Sequence, residues 1–304
     1  MIMADSKIKK ESIFNNETFV HYLMLAPFAL FFIVFTVLPV LYSIVLSFFN
    51  YDMLSSAKFA GIANYYRMFI KDTVFWKTVL NTLKFAIITG PIGFMISFIL
   101  AWFINEFNPI VRNLLAFLFY VPSLAGNAYF VWQIAFSGDS YGYINSFLLK
   151  FGFITEPINW FSNTSYNMGV LIIIQLWLSM GMSFLANISG LQNTNVELYE
   201  AGAIDGIRTR WHELWYITLP SMKSILLFSA VMQIQGSFSI GAIEQALSGY
   251  PSPDNSVDTI VTMLGDVGTV RYEMGYAAAI SVFLFAMMAI TRVLIGKIMD
   301  SLGK

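Results

Sequence analysis

The chain has no cysteine, which excludes disulfides, thiolate metal sites and cysteine nucleophiles at once. Its two histidines, His21 and His212, stand far apart with no Asp or Glu at ligand spacing, so a histidine metal site is not expected. Charge is scarce as well. Asp, Glu, Lys and Arg make up 12% of 304 residues and sum to −1, leaving no electrostatic footprint for nucleic acid. A phosphate-binding G-x-x-x-x-G-K-[ST] loop is missing: Gly296-Lys297 is followed by Ile298 and lacks the preceding glycine. Nor does the sequence offer the paired carboxylates or activated nucleophile that a membrane-bound glycosyltransferase or protease needs.

What the chain has in abundance is apolar length. Hydrophobic residues are 57% of the total and mean hydropathy is +0.67, values that belong to an integral membrane protein. A crossing helix needs about 20 apolar residues to span about 30 Å of hydrocarbon. Six stretches qualify, at 22–49, 79–105, 110–136, 167–191, 223–245 and 273–299. The first is too long for a signal-peptide core and has no small-residue cleavage site after it, so it reads as a retained helix. The expected fold is therefore all-α, a polytopic bundle of six transmembrane helices. Residues 1–19 form a tail, and 20–304 a single membrane domain. Pro39, Gly90-Pro91 and Pro122 lie inside three of the spans and predict kinks there.

Six crossings put both termini on one side. With that side cytoplasmic, Lys7, Lys9, Lys10, Arg112, Arg208, Arg210, Lys223, Arg292, Lys297 and Lys304 fall inside, ten of the 17 basic residues. That bias favours cytoplasmic termini in a cell membrane. Segments 50–78, 137–166 and 246–272 are then external, rich in turn-forming residues. Lys84 and Glu244, near outer span ends, and Glu106, near an inner one, fit snorkelling.

One cytoplasmic segment, about 193–222, is dense in charge and small residues. Thr194-Asn195-Val196-Glu197 matches a capping box, with Thr194 as the cap, and Gly206 suits a helix stop. A helix of about eleven residues between them is too short to cross the bilayer. Ala201, Gly202 and Ala203 permit close approach by another backbone, while Glu200 and Asp205 offer charge. Trp211, Leu214, Trp215 and Thr218 then recur at helical spacing, as in an interfacial helix. An ordinary loop with such a helix would give the same pattern.

The segment resembles the "EAA" loop of permease subunits in ATP-binding-cassette importers: Glu-Ala-Ala, three residues, Gly, about nine residues, then Ile-x-Leu-Pro. Here it reads Glu200-Ala201-Gly202, Gly206 and Ile217-Thr218-Leu219-Pro220. The second Ala is Gly202, and the spacer holds ten residues, a shift of about 100° on a helix. Phe59-Ala60-Gly61-Ile62-Ala63-Asn64-Tyr65, Phe75-Trp76 and Asn81-Thr82 are similar to the outer-loop signature of the maltose-type, carbohydrate-uptake branch. Gly142-Tyr143-Ile144-Asn145 with Pro157-Ile158-Asn159-Trp160, and Gly275-Tyr276-Ala277-Ala278-Ala279-Ile280, extend the likeness over most of the chain.

The resemblance implies a permease without enzymatic activity of its own. It would pair with a second homologous permease, two copies of an ATPase that bind ATP and Mg, and an extracellular solute-binding protein. Glu200, Ala201, Gly202, Ala203, Asp205 and Gly206 would form the ATPase-coupling helix. Gln175, Leu178, Ser179, Met182, Gln233 and Ser237 match substrate-contacting positions of the related permease. Gln175 and Ser179, like Gln233 and Ser237, are four residues apart and share a helix face. Amides and hydroxyls suit sugar hydroxyls, and such residues also serve as interhelical glue at about 0.6 kcal/mol per contact. The family's asparagine is Gln175 here, and Ile240 replaces a polar position, which sets the chain apart from the maltose pattern. Asn127, Trp132, Gln133, Trp177, Gln235 and Tyr276 are secondary candidates. An ion-coupled secondary transporter is the competing reading. The absence of repeats and of a deep acidic residue weighs against it.

Overall fold

The computed structural model describes residues 17–302. Most of the expected tail, with Lys7, Lys9, Lys10 and Lys304, lies outside the described residues. The first helix already begins at Glu17, inside the stretch read as tail.

Among the described residues, four helical stretches are long and apolar enough to cross a membrane. These are α1 (Val20–Leu46), α3 (Thr73–Asn105), the pair α11 (Lys223–Phe238) with α12 (Gly241–Ser248), and α14 (Met274–Leu302). Two further crossings are broken. Helix α4 (Pro109–Leu124) meets α5 (Tyr129–Ala135) at 85°, and α7 (Asn167–Leu178) meets α8 (Met182–Gln192) at 41°. Counted as one crossing each, the pairs bring the total to six, at the places where hydropathy puts them.

The three prolines act differently. Pro122 stands two residues before the end of α4, where the last amide bond runs from Ala125 to Val121 and the chain turns away. Pro39 follows a π turn at Ile33–Val37, and α3 continues through Pro91 as one helix of 33 residues. The break after α7 has no proline; it falls at Gly181, whose φ/ψ of −111°/−115° leaves the helical region.

Helices α3, α8 and α11 pack on one another at the centre. Apolar contacts there include Phe98, Ala101, Phe184, Ile188 and Leu226. Helix α1 stays exposed along its apolar length and meets the bundle through Leu38–Leu46 against α14.

At the end of the bundle away from residues 193–222, short elements close a cap. They are the hairpin β1 (Phe49–Asn50) and β2 (Lys58–Phe59), α2 (Ala63–Tyr66), α6 (Tyr143–Lys150) and α13 (Ile260–Gly265). Buried amides hold it. Asn64 donates to the carbonyls of Ser47 and Phe49, and Asn81 to those of Asn255 and Asp258. Asn145 makes five bonds, donating to Ser137, Asp139 and Ile158 carbonyls and accepting from the Ile158 amide and Trp160 Nε1. A side chain at Gly275 would collide with the Phe49 carbonyl, so glycine is required there. Segments read as loops from turn composition thus contain ordered helical turns.

Glu244 does not snorkel. It is fully buried in α12, and its Oε2 accepts from Thr259 and Thr262 hydroxyls at 2.9 and 3.3 Å. The helix turns it toward α13 and the cap, away from the surface.

Candidate functional site

The two broken crossings touch where they break. A Cβ placed on Gly181 would lie 3.2 Å from Ser123, on the last turn of α4. Beside this contact is a cavity of about 490 Å³, lined from the α4–α5 break by Pro122, Ser123, Ala125 and Gly126 and from the α7–α8 break by Leu178, Ser179 and Met182. Interrupted helices are tolerated at membrane depth where they border a cavity or other protein.

Five of the six predicted pathway residues converge here: Gln175, Leu178, Ser179, Met182 and Gln233. Ser237 does not. It is 1% exposed, donates to the Gln233 carbonyl at 2.9 Å and sits beside Gly90 of α3. The sequence pairs it with Gln233 on one helix face, but the hydroxyl is used within the helix and against α3. Among the secondary candidates, Gln235 lines the cavity. Tyr276 belongs to the cap, donating to Asp72 Oδ2 at 2.7 Å under the Arg67 guanidinium. Trp132 packs edge-on against Trp177.

Each cavity glutamine is half satisfied. Gln175 Nε2 donates to the Gly236 carbonyl at 3.2 Å, whereas its Oε1 is buried without a partner among the described residues. Gln233 Oε1 accepts from Ser183 Oγ at 2.8 Å, and its Nε2 is the orphan. Leaving such a group unpaired costs about 1–3 kcal/mol. Ser183 also meets Ser97 Oγ at 3.2 Å, so with its own proton committed to Gln233 it accepts from Ser97. Gly93 lets α3 approach this pair, because any side chain there would strike the Gln233 amide.

Ser183 and Gly93 carry no motif that marks them in the sequence. The signal was present: Gln175, Ser179, Ser183 and Asn187 recur every fourth residue, across a helix break that hides the register. Asn187 is fully buried, with neither amide atom bonded among the described residues.

At the other end of the bundle, α9 (Val196–Ile204) is a nine-residue helix. Its cap is Asn195, whose Oδ1 accepts from the Glu197 amide; Thr194 instead donates to the Gly190 carbonyl at the end of α8. The capping motif is thus displaced by one residue from the Thr194 reading, because Thr194 still belongs to the preceding turn. Gly206 stops the helix with φ +93°, and the Gly206 and Ile207 amides return to Ala203 and Gly202 carbonyls.

Of the predicted coupling residues, Glu200, Ala201, Ala203, Asp205 and Gly206 are exposed, while Gly202 is buried. A Cβ on Gly202 would come 2.6 Å from Ile217 Cδ1, so its small size serves contact within this chain. Tyr199 adds a hydroxyl bond to Thr218 at 2.9 Å.

Helix α10 (Arg210–Glu213) runs into a π turn at Leu214–Thr218. A π turn holds one surplus residue relative to an α-helix. The turn takes up one residue of the ten-residue spacer, and Ile217 and Thr218 face Gly202 and Tyr199. It also splits the predicted stripe, burying Leu214 and Thr218 while Trp211 and Trp215 remain 59% and 55% exposed. Arg210 ties the segment to α3, bonding Glu213 and Glu106 at 2.8 Å each. The Glu213 hydrogen bond, with the charges of Glu106 and Glu213, raises the Arg210 pKa further.

No family model matches the chain. It is 30% identical over 291 residues to the arabinooligosaccharides transport system permease of Bacillus subtilis (strain 168), covering 95% of this chain and 91% of that one. It is 29% identical over 276 residues to the lactose transport system permease of Rhizobium radiobacter, covering 88% and 90%. In fold it matches, with a TM-score of 0.76 and 20% identity over 94% of this chain and 96% of the other, a chain in the crystal structure of a bacterial transporter involved in import of the acidic polysaccharide alginate. A second crystal structure, of an alginate transporter with its pentasaccharide-bound periplasmic protein, superposes with the same TM-score, covering 94% and 95%. With relatives matched over nearly their whole length, two broken crossings around an amide-lined cavity and a short exposed helix beyond them, the chain belongs to the permease subunits of carbohydrate ABC transporters.

Proposed function

We propose that this permease lines one half of a sugar path at the cavity between the two helix breaks and is driven through α9 by a separate ATPase. The observation that carries this reading is connectivity. Helix α8 starts at Met182 on the cavity wall and ends at Gln192, just before α9. Helix α11 starts at Lys223, just after the coupling segment, and carries Gln233 back to the same cavity. A push on α9 therefore reaches both walls through two helices that pack on each other.

Glu197, Glu200, Ala201 and Ile204 form the exposed face of α9 offered to the ATPase. Ile204, 87% exposed outside any crossing, adds apolar area to Glu200's charge. Two ATPase copies bind ATP and Mg, and a second homologous permease completes the path. The end bearing α9 and both termini is cytoplasmic, and the Asn145 cap faces a solute-binding protein. Residues 20–304 act as one transmembrane domain, with the coupling loop at 193–222.

The test is Glu200→Lys in the full assembly. Uptake is expected to be lost, and ATP hydrolysis to stop responding to the binding protein, while membrane insertion and thermal midpoint stay as in the wild type. Normal uptake by this variant contradicts the docking role. Sugar accumulation that persists with the ATPase deleted would contradict ATP coupling altogether.

A further inference from the structure

We propose that the cavity wall built by this chain admits uncharged sugar units and rejects uronates. The inference rests on the reading of the cavity as the sugar path and adds the charge class of the substrate. Among the described residues, no Lys, Arg, His, Asp or Glu lines the cavity; its polar side chains are all amides and hydroxyls, Gln175 and Gln233 among them.

The exposed polar groups of the wall sharpen the point. Ser123, Gln235 and Ser239 present hydroxyls and an amide to the cavity, and such groups complement sugar hydroxyls. The unpaired Gln175 Oε1 and Gln233 Nε2 are buried, the latter against Gly93 of α3, and add no charge. A carboxylate finds no cation on this wall, and burying it unpaired at membrane depth is costly. The fold itself does not set this preference, since chains of the same fold serve an importer of an acidic polysaccharide.

The test uses the absence of native cysteine. Met182, 57% exposed on the cavity wall, is replaced by cysteine, giving this chain one thiol. Leu178→Cys serves as a second reporter. In the assembled transporter, alkylation of that thiol by N-ethylmaleimide is timed with arabinotriose, maltotriose, lactose or trigalacturonate, without binding protein.

At least one neutral sugar is expected to slow alkylation about tenfold at saturation, with trigalacturonate within about twofold of no addition. Adding Ser239→Arg, at an exposed wall position, should make trigalacturonate protect about tenfold through a charge-assisted pair. Protection of the unmodified wall by trigalacturonate equal to that by the neutral sugars overturns the charge preference alone. Protection by no probe at either reporter, with or without Ser239→Arg, overturns the sugar path together with it.

Discussion

Asn145 and Gln233 are both buried amides, and the protein treats them in opposite ways. Asn145, in the cap, has both amide atoms engaged in five hydrogen bonds that join α6 to the segments at Ser137–Asp139 and Ile158–Trp160. Gln233, at the cavity, uses one atom on Ser183 and leaves the other unpaired. Gln175 repeats the half-satisfied pattern on the facing crossing. A fully bonded amide rigidifies its surroundings, whereas a half-bonded one carries an unrecovered desolvation cost and holds its neighbours less firmly. The contrast separates the cap from the wall of the proposed sugar path.

The largest effect is expected from Asn145→Leu. It strands two donors and three carbonyls in the cap and should cost about 3–5 kcal/mol, seen as a collapse in the yield and thermal midpoint of folded protein in detergent. A midpoint near the wild-type value would erase the contrast. Next is Gly93→Val. The new side chain pushes Gln233 out of place and overpacks the α3–α11 contact, at about 1–3 kcal/mol, with transport lost although the protein still inserts. Normal uptake would show that Gln233 need not stay where Ser183 holds it. Arg210→Ala should do least. Its two ion pairs are exposed, and such pairs contribute about 1 kcal/mol or less, so the midpoint should move slightly and less still in high salt.

The crossings are legible because hydropathy averages over a whole helix, and α9 because small and charged residues there interrupt apolar sequence. The α4–α5 bend had Pro122 as a marker. The α7–α8 break had none: Ser179-Met180-Gly181 lies in an apolar run, and only backbone geometry shows the helix leaving its path. Glu244 turns inward where its place near a span end suggests snorkelling, because position along a span says nothing about which way a side chain turns. The cap at Asn195 and the inward face of Gly202 depend on how α8 and the π turn deliver the chain to α9, which no local motif encodes. Five of the six predicted pathway positions line one cavity, Gln175 and Ser179 among them at four-residue spacing at the end of α7. Ser237 shares that spacing, yet its hydroxyl bonds back to its own helix.

The most direct measurement compares Gln233→Leu with the wild type in two readouts, thermal midpoint without sugar and half-saturating sugar concentration for protection of the cavity thiol. Removing a partly unpaired amide should leave the midpoint within about 2 °C while raising the half-saturating concentration about tenfold. A midpoint that falls as far as that of Asn145→Leu, with unchanged sugar protection, would make Gln233 scaffold and contradict the account.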